Sequence, residues 1–373
     1  MRNLTVGVPT EIKSDERRVA LTPDGVREME SHGLEVIVQA GAGRGAAIPD
    51  ERYRAAGAEV VDDAEEVWAR ADLVCKVKEP QGPELDLLRE DLTLFTYLHL
   101  AAYPEVGRAL MDAGTTALAY ETVMRADGSL PLLAPMSEVA GRFAVQAGAR
   151  FLEATEGGRG VLLGGAPGVR PARVVVIGAG NVGWSAAWTA AGMGAEVTLL
   201  DKDLDRLRYI EQIQRGGITT LASNRGTVER CAAEADLLIG AVLVAGGRAP
   251  VVVTEAMVES MRPGAVIVDV AIDQGGCVET SRETTHHDPT YVVHDVVHYA
   301  VGNMPSAVPA TATQALTHAT LPYLVDVAVH GPTEACRRDP ALAHGLNVEG
   351  GRIVNPAVAE ALGEPVGEPS HAR

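Results

Sequence analysis

The chain has 373 residues, of which 46 % are hydrophobic and 22 % charged, a balance that predicts an ordinary folded protein long enough for two domains. Its formal net charge of −18 excludes nucleic acid and anionic membranes as expected partners, because both select clustered Lys and Arg. The sequence has no apolar leader segment and no run of about 18 apolar residues. Its four cysteines are far apart. We therefore expect a cytoplasmic protein without a disulfide framework, a zinc site or a membrane segment.

The first third of the chain alternates short β-rich segments with helical ones. Strands are predicted in "LTVGVP", "LEVIVQ", "AEVV", "DLVCKV", "LTLFTYL" and "TTALAYE". Helices are predicted in "TPDGVREMESHG", "DERYRAAG", "AEEVWARA", "ELDLLRE" and "PEVGRALMDAG". The first of these helices has Thr22 as N-cap, Pro23 at its first position and Gly33 beyond its end. Such alternation predicts a parallel sheet with helices on both faces.

A second alternating series occupies the middle of the chain. It runs from Ala172 to Val301, after a long helical pattern at 137–155, and a further apolar helix follows in "ATQALTHATLPYLVDVAVHG". These patterns predict an α/β protein with two Rossmann-like, doubly wound parallel-sheet domains joined by long helices. We expect the first domain to cover 1–136, completed by a C-terminal helical segment at 305–373, and the second to cover 137–304.

The second series opens on the glycine loop "VVVIGAGNVG", which lies between a predicted strand and a predicted helix. Gly178 permits the tight turn, Gly180 lets a pyrophosphate approach the backbone, and Gly183 lets helix and strand pack closely. The N-terminus of the helix that begins at Asn181 stabilises the phosphate charge. We therefore expect this domain to bind a dinucleotide, the alternative being an α/β domain whose glycine turn has no ligand.

The choice of dinucleotide depends on the end of the next strand. Asp201 ends that strand, where a carboxylate accepts hydrogen bonds from the adenosine ribose and repels a 2′-phosphate. This position predicts NAD as the cofactor. Lys202 and Arg206 follow closely, and their positive charges leave NADP open.

Charged side chains follow the ends of several predicted strands. Arg18 lies after the first strand, while Lys78 and His99 end two later strands of the same series. Because open parallel sheets bind ligands outside the carboxyl ends of their strands, we expect these three side chains at one edge of the first sheet. Asp273 is expected at the same edge of the second sheet, across a cleft. Lys76 is expected to be a solvated edge lysine, and His99 taken alone also fits a buried core position.

Over nearly its whole length the sequence resembles the NAD-dependent L-alanine dehydrogenases, whose wider family includes the proton-translocating nicotinamide nucleotide transhydrogenases. The resemblance rests on specific blocks that occur in one order. These blocks are "GVPTEIKSDERRVALTP", "KVKEP", "LHLAA", "AYETV", "PLLAPMSEVAGR", "GGRGVLLGG", "VVVIGAGNVG", "ADLLIGAVLV", "DVAIDQGGC" and "HYAVGNMPSAVP".

The resemblance implies roles for individual residues. Arg18 corresponds to the group that binds the substrate carboxylate, Lys78 to its second anchor, and His99 to the proton donor and acceptor. Asp273 corresponds to a second catalytic residue near the nicotinamide. The implied dinucleotide contacts are Ser137, Asn181, Val182, Asp201, Arg206, Ser223, Val242, Leu243, Val270, Ala271, Ile272, Asp273, Arg282, Val301, Gly302, Asn303 and Met304.

The function that the resemblance implies is the reversible, NAD-dependent oxidative deamination of L-alanine to pyruvate and ammonia, carried out by a cytoplasmic homohexamer. Three alternatives remain: a soluble transhydrogenase-like subunit, a dehydrogenase of another small amino acid, and a binding module that senses NAD without turnover. Some members of the family bind a divalent ion through an acidic residue and a histidine one helical turn apart. Here that pair would be Asp326 and His330, and an ordinary helix surface is the favoured interpretation of their spacing.

Overall fold

The computed structural model describes residues 4–214, 216–242 and 249–372. The strands found in these residues are β1 (Thr5–Val8), β2 (Glu35–Gln39), β3 (Glu59–Val61), β4 (Leu73–Cys75), β5 (Thr93–Thr96), β6 (Thr116–Ala119), β7 (Arg173–Ile177), β8 (Glu196–Asp201), β9 (Ile218–Ala222), β10 (Leu237–Gly240), β11 (Val266–Asp269), β12 (Thr290–Val293), β13 (Val296–Tyr299), β14 (Leu346–Glu349) and β15 (Arg352–Ile353). The α-helices are α1 (Pro23–Ser31), α2 (Asp50–Ala55), α3 (Ala64–Arg70), α4 (Pro104–Ala113), α5 (Ala134–Phe151), α6 (Asn181–Gly192), α7 (Leu204–Ile213), α8 (Arg225–Glu234), α9 (Glu255–Glu259), α10 (Pro309–His330), α11 (Pro332–Arg338), α12 (Pro340–Gly345) and α13 (Pro356–Leu362). Across the described ranges, no helix combines the length and the apolar character that a membrane crossing requires.

The chain divides into two compact units. The first unit comprises Met1–Met136 and Val308–Arg373 and contains a sheet with the strand order β3-β2-β1-β4-β5-β6-β14-β15. Strands β1 to β6 pair in parallel, and β14 joins β6 antiparallel. The order of the parallel strands reverses between β1 and β4, which is where doubly wound sheets bind their ligands.

The second unit comprises Ser137–Ala307, and its sheet repeats this arrangement. The strand order is β9-β8-β7-β10-β11-β13-β12. Among the described strand pairs of this sheet, all are parallel except the edge pair β12–β13. The reversal here lies between β7 and β10, so the glycine loop after β7 is at the ligand-binding position of the sheet. Two mostly parallel sheets flanked by helices confirm the predicted fold class.

Local sequence signals explain where most elements begin. The side chain of Thr22 accepts a hydrogen bond from the backbone N of Gly25 and caps α1, as predicted. The prediction of a helix in "ELDLLRE" was wrong, because the chain forms only a 3-10 turn at Gly82–Leu87. The reason is that the side chain of Glu84 turns inward, where one oxygen accepts a hydrogen bond from the backbone N of Gln81 and the other binds Lys76.

All four cysteines are free thiols. Burial raises the pKa of Cys75 and of Cys336 to about 12 and raises the pKa of Cys277 well above its usual range. Cys231, on α8, is half-buried, and burial raises its pKa as well. The thiols are therefore mainly protonated at neutral pH, and those of Cys75, Cys277 and Cys336 are also buried.

Candidate active site

Three segments of the first unit carry its ionisable side chains to the reversal between β1 and β4. The segment after β1 carries Glu11, Lys13, Glu16 and Arg18, the segment after β4 carries Lys76, Lys78 and Glu79, and the segment after β5 carries His99. The first two segments carry both cations and carboxylates. The opposite charges are close enough to form ion pairs, which fix most of these side chains.

Arg18 is buried and held by Glu16. Its Nε lies 2.7 Å from Glu16 Oε1 and its NH2 lies 2.5 Å from Oε2, a two-pronged contact, while its NH1 lies 3.0 Å from Met136 Sδ. Burial works against the guanidinium charge, but the carboxylate of Glu16 outweighs it and raises the pKa of Arg18. The guanidinium is therefore a permanently charged group with a fixed orientation.

Lys76 is fully buried, so the expectation of a solvated edge lysine was wrong. Its Nζ lies 2.7 Å from Glu84 Oε1 and 3.2 Å from Glu11 Oε2. Its backbone N bonds to the carbonyl of Phe95 and continues the pairing of β4 with β5, which keeps the residue inside the sheet. Burial opposes the ammonium charge, but the two carboxylates outweigh it and raise the pKa of Lys76.

Lys78 is half-buried, two residues after Lys76, on a turn whose backbone is held from both sides. Its N–H donates to Glu11 Oε2 at 3.3 Å, and the preceding N–H, of Val77, donates to Glu11 Oε1 at 2.6 Å. Its carbonyl accepts a hydrogen bond of 2.9 Å from Thr96 Oγ1. The starting direction of the lysine side chain is therefore set by these backbone contacts.

His99 has a left-handed backbone conformation, with φ at 49°. Its N–H donates to Glu121 Oε1 at 2.6 Å, and the N–H of Leu98 donates to the same oxygen at 3.2 Å. The ring lies 5.6 Å from the ring of Tyr97, and its buried Nδ1 has no hydrogen-bond partner among the residues described here. An unusual backbone conformation held by a carboxylate, here the half-buried Glu121, is typical of a functional site.

His99 is half-buried, and its imidazole lies among positive charges. Burial first, and then the charges of Lys78, Lys13 and Arg18, lower the pKa of His99 to about 3. Three cations depress this pKa only because they lie close to the ring, so the structure brings Arg18, Lys78 and His99 together at one edge of the first sheet. Lys13 joins them and was missed by the sequence analysis. The imidazole is neutral at physiological pH and can accept a proton.

The glycine loop of the second unit fits a bound dinucleotide. A Cβ on Gly178, whose φ is 104°, would lie 2.4 Å from the carbonyl O of Ala241, and a Cβ on Gly183 would lie 1.7 Å from the carbonyl O of Gly178. These two glycines are required by the fold itself. At Gly180 a Cβ would meet no described atom closer than NH1 of Arg206, at 3.9 Å. The open space over Gly180 is where the backbone admits a phosphate group.

Asp201, which is buried, shapes this loop from below. Its Oδ2 accepts a hydrogen bond of 2.6 Å from the N–H of Ala179, and its Oδ1 accepts one of 2.8 Å from the N–H of Asp203. A carboxylate has further lone pairs with which to bind a ribose hydroxyl. Arg206 is exposed and lies 3.5 Å from Asp203, and Ser223 is half-buried with its N–H on the carbonyl of Asp201. These predicted contacts thus gather around the glycine loop.

Asp273 is exposed on a 3-10 turn, Val270–Gln274, which follows β11. Its Oδ1 accepts a hydrogen bond of 3.1 Å from the N–H of Asn303. The turn begins at the buried Asp269, whose Oδ1 accepts from the N–H of Ala271 at 3.1 Å and whose Oδ2 accepts from the N–H of Cys277 at 3.0 Å. A buried carboxylate thus holds the turn that presents Asp273.

The other predicted dinucleotide contacts also lie on the second unit. Arg282 is exposed, with its guanidinium 4.1 Å over the ring of Tyr291. Ser137 lies on α5, Val242 follows β10, and Leu243 lies outside the described residues. The remaining ones lie at the start of α6 or after β13: Asn181, Val182, Val301, Gly302 and Met304.

The predicted metal pair forms an ion pair on α10. His330 Nε2 lies 3.5 Å from Asp326 Oδ1, and Nε of Arg338 lies 3.7 Å from the same oxygen. Within the described ranges, no three His, Cys, Asp or Glu side chains form a group suited to a metal ion. A guanidinium beside the carboxylate favours the helix-surface interpretation.

A glycine loop at the reversal point of such a sheet defines a dinucleotide-binding α/β protein, here with a second doubly wound unit that carries a cationic cluster. Two family models match the chain: "Alanine dehydrogenase/PNT, N-terminal domain" over residues 7–140 and "Alanine dehydrogenase/PNT, C-terminal domain" over residues 144–356. The chain belongs to the alanine dehydrogenase/PNT family.

Individual relatives are similar over nearly the full length. The alanine dehydrogenase of Mycobacterium tuberculosis is 55 % identical over 367 residues, which cover 98 % of this chain and 99 % of the relative. A solved L-alanine dehydrogenase matches with a TM-score of 0.94 and 54 % identity, over 96 % of this chain and 99 % of that one. The transhydrogenase from Sinorhizobium meliloti matches with a TM-score of 0.79 and 27 % identity, over 95 % and 99 % of the two chains.

Proposed function

We propose that the protein is an NAD-dependent alanine dehydrogenase, which converts L-alanine reversibly to pyruvate and ammonia. The observation that carries this proposal is the group of two cations, Arg18 and Lys78, beside the neutral imidazole of His99. An amino acid or 2-keto acid needs a cationic site for its carboxylate and a proton-transfer group near its reacting carbon. The high identity to proteins named alanine dehydrogenase supports the same activity.

In this proposal the substrate carboxylate binds to Arg18 and Lys78 through charge-assisted hydrogen bonds. Glu16 keeps the guanidinium in one orientation, so little side-chain entropy is lost when the substrate binds. Lys78 also polarises the keto oxygen of pyruvate in the direction of amination. Both cations stay charged throughout the reaction, which suits binding groups.

His99 is the proposed proton acceptor and donor. As a neutral base it takes a proton from a water molecule, which adds to the imine formed from alanine, and it returns the proton as the carbinolamine collapses to pyruvate and ammonia. Two of the three cations that lower the pKa of His99, Lys78 and Arg18, are those proposed to bind the substrate. An anionic substrate offsets their charge, so binding raises the pKa of His99 towards its usual range and makes the returned proton easier to hold.

The proposed cofactor site lies on the second unit. The backbone at Gly180 and the N-terminus of α6 would hold the pyrophosphate, Asp201 the adenosine ribose, and the turn of Asp273 the nicotinamide end. When bound, NAD accepts the hydride that leaves the α-carbon of alanine. In this assignment the second unit is the NAD-binding domain and the first unit the substrate domain. The remaining parts of the proposal are a cytoplasmic location and a homohexamer, and a monomer in analytical ultracentrifugation would contradict the latter.

The likeness to a transhydrogenase supports a second candidate, a soluble transhydrogenase-like subunit. The two candidates differ in what the purified chain does alone. An alanine dehydrogenase turns over alanine and NAD without a membrane partner, and a screen of alanine, serine and 2-aminobutyrate gives its range of substrates.

The experiment that tests the site compares Lys78→Ala with Arg108→Ala, which removes an exposed cation on α4. We expect Lys78→Ala to abolish pyruvate-dependent oxidation of NADH and to leave NADH binding, measured by fluorescence, nearly unchanged. Arg108→Ala is expected to keep both. A wild-type kcat/KM for pyruvate in Lys78→Ala would place substrate binding elsewhere.

A further inference from the structure

The turn that carries Lys78 is attached to a side chain from a distant segment. Glu11 lies 67 residues before Lys78, and its side chain is 3 % exposed. One of its oxygens accepts a hydrogen bond from the N–H of Val77 and the other accepts one from the N–H of Lys78. A single carboxylate thus binds two consecutive amides of the turn, which fixes the position and the tilt of the peptide group between them.

Glu11 is itself held in place by a buried cation. Lys76 Nζ lies 3.2 Å from Glu11 Oε2 and 2.7 Å from Glu84 Oε1. The ammonium, the two carboxylates and the turn therefore form one connected network, in which each member restricts the next. Only Val77 separates the buried Lys76, which carries no proposed role in substrate binding, from Lys78.

We infer that Glu11 is a positioning residue for substrate binding, and that the buried Lys76 anchors its carboxylate so that the turn presents the Lys78 ammonium in a fixed direction. This inference rests on the proposed function of Lys78. A displacement of about 1 Å in such a group lowers rates about 10²-fold even when the mutation is remote from the reaction.

Glu84 provides a matched comparison. It pairs with the same ammonium and is buried like Glu11, but its other oxygen accepts from the N–H of Gln81, at 2.8 Å, beyond Lys78. Glu11→Gln and Glu84→Gln therefore remove the same charge from the same cation, and only the first changes the contact with the Lys78 turn. In Glu11→Gln one oxygen is replaced by an NH2 group, which cannot accept a hydrogen bond from an amide.

The experiment measures steady-state kinetics, NADH affinity and the thermal midpoint of the full-length protein and both variants. We expect Glu11→Gln to lower kcat/KM for pyruvate about 10²-fold, with a raised KM for pyruvate and an NADH dissociation constant within about twofold of wild type. Glu84→Gln is expected to lower the thermal midpoint to a similar extent, with kcat/KM for pyruvate within about threefold of wild type.

Two results would overturn the inference: kinetics of Glu11→Gln that match those of Glu84→Gln, or a loss of NADH affinity equal to the loss of pyruvate kcat/KM. If Glu11→Gln does not fold, Glu11→Asp keeps the charge beside Lys76 but withdraws the oxygens from the amides, and the same loss of kcat/KM is expected of it. Lys78→Ala distinguishes a failure of the proposed function from a failure of the positioning role of Glu11. If Lys78→Ala still oxidises NADH with pyruvate, the proposed function is wrong. If Lys78→Ala is inactive but the Glu11 variants keep wild-type kinetics, only the positioning role of Glu11 is wrong.

Discussion

Three buried carboxylates of the first unit pair with buried cations, whereas two buried aspartates of the second unit, Asp201 and Asp269, accept hydrogen bonds from backbone N–H groups. In the first unit Glu16 holds the guanidinium of Arg18, and Glu11 and Glu84 hold the ammonium of Lys76. Each of these cations is fully buried or nearly so. Carboxylates are the means by which a protein keeps buried cations charged.

The second unit uses aspartates at strand ends. Asp201 ends β8 and accepts from the N–H of Ala179, in the glycine loop. Asp269 ends β11 and accepts from the N–H groups of Cys277 and Val278. These side chains hold loops in shape rather than balancing a charge.

The difference follows from the ligand proposed for each unit. An anionic substrate is bound by side-chain cations, whose burial requires counter-charges. A dinucleotide is bound largely by backbone groups of a glycine loop, and those require only a fixed loop conformation. The comparison therefore predicts that removing one partner is far more damaging in the first unit than in the second.

The largest effect is expected from Lys76→Met. The substitution leaves two buried carboxylates without their cation, and we expect the free energy of unfolding to fall by about 3–5 kcal/mol. Urea unfolding measures this. The control is Arg70→Met, since Arg70 also pairs with two glutamates, Glu59 and Glu66, but at the surface, where such pairs contribute less than about 1 kcal/mol. Equal losses of unfolding free energy in Lys76→Met and Arg70→Met would contradict the special importance of buried ion pairs in the first unit.

Asp269→Asn is expected to lower the free energy of unfolding by a smaller amount, about 1–3 kcal/mol. The substitution replaces one acceptor oxygen with an NH2 donor that faces N–H groups. Burial raises the pKa of Asp269, so the folded state binds this proton more tightly than the unfolded state. The contribution of the group to stability is then greatest at low pH and is lost as the pH rises through the folded pKa. The free energy of unfolding of wild type should thus exceed that of the variant by more near pH 5 than near pH 8. The opposite trend would show that the fold does not stabilise the neutral form of the carboxyl group.

Asp201→Ala tests whether the loop-shaping carboxylate also selects the cofactor. We expect wild type to prefer NAD, and the ratio of kcat/KM for NAD to that for NADP to fall about tenfold in the variant, since the change removes a repulsion of about 1.4 kcal/mol towards the 2′-phosphate. Asp203→Ala removes the same charge two residues further on, from an exposed position, and should leave the ratio nearly unchanged. A wild-type preference for NADP would refute this role of Asp201.

The smallest kinetic effect is expected from Lys13→Gln, which removes one of the three cations that lower the pKa of His99. The pKa of His99 should move from about 3 towards its usual value. Because alanine oxidation needs the neutral imidazole, kcat/KM of the variant relative to wild type should decline at the acid end of the pH profile. Lys13→Arg keeps the charge and should show no such decline. A flat ratio in Lys13→Gln would mean that Lys13 does not act on His99.

Those parts of the fold that depend on local pattern could be predicted from the sequence. The alternation of strands and helices, the Thr22 cap and the glycine loop are all encoded within a few consecutive residues. Arg18, Lys78 and His99 could be placed at one sheet edge because each follows a predicted strand, and their roles remain predictions.

The partners of these residues could not be predicted. Glu11 and Glu121 contact residues that are 22 to 67 positions away in the chain, and no periodic pattern relates one to the other. Lys76 was misplaced for the same reason, because a lysine looks solvent-exposed until its carboxylates are known. Ion pairs across a fold leave no short-range signal in a single sequence.

The protonated state of the four thiols has a practical consequence. A maleimide reacts with thiolates, and three of the four sulfurs, those of Cys75, Cys277 and Cys336, are buried as well as protonated. The native protein should therefore take up one label first, at the half-buried Cys231 on α8.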